Sequence, residues 1–384
     1  MFPRQIFAEL MLHNVRKLSK KPVKVYCWVS CSAAAIYTLF GPAGPSKGNS
    51  VRLGLEEEAA RTGKPLPEVA EEVRYIAYYP SSSYLSPVTQ FFTTVKATPD
   101  YFESAESLDA LRKWFAETSR EVYTVGPMLP PSGKNAVINE KKQSANSGEI
   151  DEFLERTLKA YGEQSLVYAS LLTLTQSSAS LIVFMKVSFG SVFWSVEPEV
   201  IWTLLDVLIE KSIPFIMSHG SPVAQVPDSV KEKVKASGLG LLSPWSPQQA
   251  ILAHSVTGWF VTHCGFNSIM ESLSFGVPMI CWPYQADQPQ NSIHLTENLG
   301  VAYELMEVRN TEGLKPIYRT GKVHTGTIEA ARKEAHRVLD NAFGEDGAKK
   351  RAKAVELQAA FENVWDKGGS SRLALDEFLG ILQM

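Results

Sequence analysis

The spacing of apolar residues divides the chain before any other property is used. Ile6, Phe7, Leu10, Met11, Val15 and Leu18 recur at helical intervals within Met1 to Lys21. Val23 to Trp28 follows as a strand, so the chain opens on the second half of a strand–helix–strand unit. Residues 41–67 are rich in Gly, Pro and charge, and Pro80 to Pro87 holds four serines; both predict exposed loops. Leu108 to Phe115 has helical spacing, and Val122 to Gly126 predicts a short strand. Residues 130–148 are polar and turn-rich and predict a linker. Ile150, Phe153, Leu154, Leu158 and Tyr161 then mark one face of an amphipathic helix. From Glu197 onward helices and strands alternate. Helices are predicted over 198–211, 230–237, 327–343 and 348–367, with a last one ending at Met384. Strands are predicted over 213–217, 240–242, 258–262, 279–282 and 301–305. That alternation implies a parallel sheet covered on both faces, with ligands at the carboxyl ends of its strands.

One stretch breaks the pattern. Ser165 to Tyr168 reads as a strand start and Val187 to Ser191 as a strand end with a Gly-Ser turn. Between them lie the 18 residues Ala169 to Lys186. Without those residues the text becomes S-L-V-Y-V-S-F-G-S, one continuous buried strand. As written, two segments compete for one strand position. An inserted hairpin or helix is one explanation, since loop insertions cost little entropy. A retained intron of 18 codons is the other.

The polar residues gather at the joints of the stretch from Trp245 to Gln288. Gly258 to Thr262 predicts a buried strand, His263-Cys264-Gly265 a turn, and the residues after it a helix running to Phe275. Asn267 or Ser268 is placed to cap that helix, with Glu271 in its first turn. Gly276 and Pro278 end it, and Met279 to Trp282 is the next strand. A helix that starts at the carboxyl end of a strand offers N–H groups and a positive dipole end, so this joint predicts an anion site. The loops 188–191, 243–248 and 263–268 are expected to meet there.

Composition narrows the function. With 45% hydrophobic and 21% charged residues, 384 residues suffice for two domains with cores of their own. A net charge of −3 gives no reason to expect nucleic acid as a partner. Cys27, Cys31, Cys264 and Cys281 form no C-x-x-C and no zinc spacing, so they read as buried thiols of a reducing, cytoplasmic protein, and no metal is expected. The basic run before Val23 to Phe40 looks like a signal anchor, but Lys24, Ser30, Ser32 and Thr38 interrupt it. No run reaches the ~20 apolar residues of a transmembrane segment. No G-x-G-x-x-G follows a strand, which disfavours a dinucleotide dehydrogenase.

The spaced pattern W-x-P-Q, L-x-H, H-C-G-x-N-S-x-x-E, G-V-P, P and D-Q, from Trp245 to Gln288, resembles the signature box of the family 1 UDP-glycosyltransferases. Phe266, where plant members usually carry Trp, gives the box a fungal look. The resemblance covers nearly the whole chain except 169–186. It implies an α/β, GT-B fold of two Rossmann-like doubly wound domains, the N-terminal one incomplete. Residues 1–145 would be a partial acceptor-binding domain with linker. Residues 146–384 would be the UDP-sugar domain, its last helix packing back on the first domain.

Carried over by position, Trp245 would stack on uracil and the Ser246 backbone would pair with the base edge. Gln248 and Glu271 would hold the ribose hydroxyls. His263, Asn267, Ser268 and Ser191 would contact the diphosphate, with Phe266 as an aromatic wall. Asp287 and Gln288 would bind the sugar, and the terminal Gln leans towards glucose. Taken singly, Trp245 reads as a core residue, Glu271 as a first-turn helix residue favoured by the dipole, Asp287 as a loop carboxylate, and His254, lying before the strand, as structural; the fixed spacing of the box reverses those readings for all but His254. The implied reaction passes a hexose from a UDP-sugar to a hydroxyl of a small lipophilic acceptor, inverting and without metal or other cofactor. The UDP-sugar is a co-substrate. The family's general-base His and its Asp partner have no counterpart here, since His13 lies mid-helix with no Gly before it. The expectation is therefore a chain truncated at its start, with weak or no transfer. Its alternative is a non-catalytic UDP-sugar-binding protein or gene-model fragment. Acceptor and oligomeric state are not legible.

Overall fold

The computed structural model describes residues 59–64, 93–95, 108–109, 112–113, 116–117, 122–126, 147–170, 197–220, 224–284, 287–317 and 321–382. The helix and strand expected over 1–28, the serine loop at 80–87 and most of the linker lie outside them. The chain falls into two compact units. One holds the chain up to Gly126 and again from Lys367, and the other holds the described residues between.

In the first unit, β1 (Thr93–Val95) pairs in parallel with β2 (Val122–Thr124). The terminal helix of the chain, Ser370–Leu382, packs on β2. Its Phe378 ring lies 5.7 Å from Tyr123, and its buried Ser371 hydroxyl donates to the Gly126 carbonyl.

The second unit begins with α1 (Ser147–Tyr161), which leads into β3 (Leu166–Ser170). Then come α2 (Glu199–Glu210), β4 (Phe215–Ser218), α3 (Asp228–Ser237), β5 (Gly240–Ser243) and α4 (Gln248–Leu252). The middle of the unit is β6 (Thr257–Thr262), α5 (Phe266–Ser274), β7 (Met279–Cys281) and α6 (Gln288–Ile293), which continues as a π-turn over His294–Asn298. β8 (Ala302–Glu304), α7 (Ile328–Ala342) and α8 (Glu345–Asn363) complete it, and the terminal helix is α9. Tyr161 is 50% exposed, so the buried face of α1 is Ile150, Phe153, Leu154 and Thr157, narrower than its spacing suggested.

The strand order is β5-β4-β3-β6-β7-β8 and every pairing is parallel. The chain winds outward from β3 in one direction, then returns to β6 and winds in the other. The switch point lies between β3 and β6, both buried along their whole lengths. Side chains alternate across them. Val167, Ala169, Trp259 and Val261 join the core formed with α2 and α7, while Tyr168 and Phe260 stack on the other face at 5.2 Å. The Trp259 indole N–H donates to the Ala342 carbonyl at the end of α7.

The position for which two segments competed is filled by Leu166–Ser170. Ala169 and Ser170, the first residues of the apparent insertion, are the end of the central strand. They supply the same small-apolar, polar ending that Val187-Ser188 would have given, so the ladder closes without the later segment. Val187 to Ser191 lies outside the described residues.

The pairing of β3 with β6 contains a bulge. Leu166 faces Thr257 but Val167 faces Trp259, so Gly258 has no opposite number. A Cβ there would sit 2.1 Å from the Gln164 carbonyl oxygen, so only glycine fits. The Gly258 carbonyl accepts a hydrogen bond from Arg351 on α8.

Candidate functional site

The loops at the carboxyl edge of this sheet carry the polar residues singled out above. β6 ends at Thr262, whose hydroxyl accepts the Cys264 N–H at 3.3 Å. Cys264 has φ 65°, a left-handed conformation costly for a residue with a Cβ. The turn folds the chain back so that Gly265, extended, stands before α5. The His263 ring rests against Gly265, where a Cβ would come within 2.4 Å of Nε2.

The expected cap is corrected by this arrangement. Gly265 holds the N-cap position with no side-chain cap, so Asn267 and Ser268 lie inside the first turn of α5 and Glu271 in the second. A turn that leaves β6 through a left-handed residue reaches helical geometry two or three residues sooner than the sequence suggested.

His263 crosses the switch point: its ring hydrogen-bonds the Ser170 backbone carbonyl at the end of β3. Burial depresses its pKa to about 4, with that carbonyl opposing, so it is neutral near neutral pH. Its Nδ1 is buried without a partner.

On the neighbouring loop β5 ends at Ser243, whose hydroxyl donates to the Trp245 carbonyl and whose carbonyl accepts from His219 N–H. Trp245 is half-buried and Ser246 is buried. α4 then presents Gln248 and Gln249 to α5. The Gln248 carboxamide donates to Glu271 and lies 3.5 Å from the Ser268 hydroxyl, while Gln249 donates to the other Glu271 oxygen at 3.3 Å. Glu271 is therefore held by two amides before any ligand arrives. The described residues contain six buried side-chain polar atoms without a partner. Three are here: Ser246 Oγ, Gln248 Oε1 and His263 Nδ1. Buried polar atoms are nearly always paired, so three orphans within one loop cluster point to a ligand that completes them.

At the third loop, Asp287 is the N-cap of α6. It is 7% exposed, and burial pushes its carboxyl up to about 6, with the Asn291 amide and its own backbone N–H pulling the other way. The Gln288 side-chain oxygen accepts from the Tyr284 N–H. Phe266 is buried at 2%. Ser191 lies outside the described residues.

His254 accepts the Val256 N–H and lies 3.5 Å from Glu155, away from the strand ends, as its place in the sequence suggested. Burial and the adjacent Cys281 thiol push the Cys264 thiol well above its ordinary range, so it stays protonated. Among the described residues no three His, Cys, Asp or Glu side chains cluster to hold a metal ion, and no helix is long and apolar enough to cross a membrane.

Sequence reasoning missed Ser170, Gln249 and Asn291. Only Asn291 left a signal, its four-residue spacing from Asp287 at the start of a helix.

Comparisons with known proteins bear on this site. Residues 114–315, just over half of the chain, match the family model described as UDP-glucoronosyl and UDP-glucosyl transferase. The UDP-glycosyltransferase eriJ of Hericium erinaceus is 36% identical over 282 residues, covering 71% of this chain and 52% of that protein. The structure of Os79 from O. sativa in complex with UDP aligns with TM-score 0.63 at 20% identity, covering 98% of this chain and 81% of the other. Medicago truncatula UGT71G1 complexed with UDP-glucose aligns with TM-score 0.56 at 25% identity, covering 81% and 57%. The fold is of the GT-B class. The chain spans about half the length of the curated relatives it matches. The matched segment contains β3 to β8 and every loop of the cluster just described, and on that match the chain belongs to the UDP-glucuronosyl and UDP-glucosyl transferase family.

Proposed function

We propose that the carboxyl edge of the six-stranded sheet binds a UDP-sugar, with glucose as the favoured hexose, for transfer to a hydroxyl of a small lipophilic acceptor. The observation that carries this reading is the set of orphaned atoms Ser246 Oγ, Gln248 Oε1 and His263 Nδ1 around the start of α5. On this reading Trp245 and Ser246 hold the base, and Gln248 and Glu271 the ribose diol. A carboxylate suits two vicinal hydroxyls because it accepts from both. His263, Asn267 and Ser268, with Ser191, hold the diphosphate, and Phe266 walls it. Asp287 and Gln288 take the sugar hydroxyls.

Transfer breaks the anomeric C–O bond and leaves negative charge on the departing phosphate. The N-terminus of α5 faces that charge with its dipole and the Ser268 hydroxyl. His263 is neutral and its one N–H is held by the Ser170 carbonyl, so it adds no full charge there. The displacement inverts the anomeric carbon and needs no metal in this reading.

A second reading is donor binding without turnover. The acceptor hydroxyl needs a general base, and six of the seven histidines lie between His219 and His336, in the unit that holds the donor loops. His13 is the exception. Isothermal titration with UDP and UDP-glucose, followed by UDP release in the presence of a phenolic acceptor, separates the readings. Binding with acceptor-dependent release supports the transferase, and binding without release supports the second reading. No binding of either nucleotide removes both.

A further inference from the structure

Asn291 lies on the second turn of α6 and is 1% exposed. Its Nδ2 donates to two acceptors: the Cys264 backbone carbonyl at 3.0 Å and the Asp287 carboxylate at 2.8 Å. Both partners only accept, so the amide orientation is fixed by them, and both of its N–H bonds are used. Cys264 belongs to the strained turn before α5, and Asp287 to the loop after β7. One side chain thus ties two separate segments of the site.

We propose that Asn291 is a positioning residue that sets the distance between the diphosphate end and the sugar end of the donor site by holding the Cys264 turn with one N–H and the Asp287 carboxylate with the other. The proposal rests on the donor reading above. Its physical content is that a buried carboxylate can accept sugar hydroxyls only if it is both ionised and aimed. Burial works against ionisation, and the Asn291 amide works for it. The elements packed on α6 are the π-turn and β8, which carry His294, Glu297, Tyr303 and Glu304; the turn before α5 adds His263 and Cys264. None of these charges offsets the burial, which leaves the Asn291 amide and the backbone N–H of Asp287 to do so.

A merely structural Asn291 would weaken all ligands alike. A positioning Asn291 changes the discrimination between UDP-glucose and UDP. The test is isothermal titration of both nucleotides across about pH 5 to 8, on the full chain, on Asn291→Ala and on Asn291→Asp. For Asn291→Ala the ratio of UDP-glucose to UDP affinity at neutral pH should fall about tenfold, the worth of a hydrogen bond to a charged group. UDP affinity should hold within about threefold. The pH midpoint of the ratio should also move upward, because Asp287 loses the group that keeps it ionised. Asn291→Asp has the same size, so it tests the idea even if the alanine variant does not fold. It sets two carboxyls against each other, and its ratio should recover only towards alkaline pH. With Asp287→Asn already present, Asn291→Ala should lower the ratio no further. Parallel weakening of both nucleotides, an unmoved midpoint, or a further loss on the Asp287→Asn background would each overturn the proposal. If the unmodified chain binds neither nucleotide, the donor reading fails and takes this one with it.

Discussion

His263 and Asp287 are both buried titratable groups at the sheet edge, and their pKa values move in ways that oppose each other in stability. Asp287 keeps its proton up to about 6 against an ordinary 3.8, chiefly through burial. Between those values the native chain holds the extra proton, so stability falls as pH rises through the window. His263 stays neutral down to about 4 against an ordinary 6.5. There the unfolded chain takes the extra proton, so stability is full above 6.5 and is lost as pH falls towards 4. From about 4 to about 6 the two slopes largely cancel. Asp287→Asn removes one of them. At neutral pH the variant should be more stable than the unmodified chain, by on the order of 3 kcal/mol at most. Its stability should then decline steadily as the solution is acidified. Urea unfolding at a series of pH values reads both effects, and parallel profiles for the two proteins would sink the assignment. The residues concerned were legible in the sequence because their spacing is kept. Their protonation was not, because burial is a property of the folded neighbourhood.

At the scale of elements, the alternation of strands and helices from Glu197 onward was legible in the pattern of apolar residues. Short elements and local irregularities were not. β1 has three residues, too few to show a period. α4 and α6 have five and six, less than two turns, and the loop position of Gln248 therefore hid its place on a helix. The start of α5 was misplaced because Asn and Ser are favoured caps, whereas here the left-handed Cys264 hands the cap to Gly265. The bulge at Gly258 left only an ordinary glycine in the text. Its energetic weight is local and large. A methyl group at Gly258 must push away the Gln164 carbonyl or open the pairing of the two central strands. Gly258→Ala should cost ~2 kcal/mol or more in chemical denaturation. A loss well below ~1 kcal/mol would mean that the bulge relaxes freely.

At the scale of the molecule, a parallel α/β sheet was legible but its strand order was not, because sequence order does not say on which side of β3 each strand is laid. Only the resemblance reached as far as a donor site. With β3 and β6 adjacent, the site falls at the ends of two fully buried strands of the second unit, and ligand binding should be felt there first. A saturating nucleotide at a hundredfold excess over its Kd should stabilise the native state by about 2.7 kcal/mol. Hydrogen exchange should slow most at Tyr168 to Ser170 and Phe260 to Gly265. Uniform slowing over both units would argue for a ligand bound elsewhere.

The unpaired Gly258 also acts as a frame marker. Side-chain phase along β6 is counted from that residue, and one step of phase exchanges the two sides of a strand. Removing Gly258 closes the ladder with Trp259 still opposite Val167, whereas adding one residue between Trp259 and Thr262 reverses the side from which His263 emerges. Length variation should therefore be tolerated upstream of Trp259 and rejected downstream of it. A deletion-and-insertion scan across Thr257 to Thr262, scored by nucleotide binding, would display that asymmetry directly.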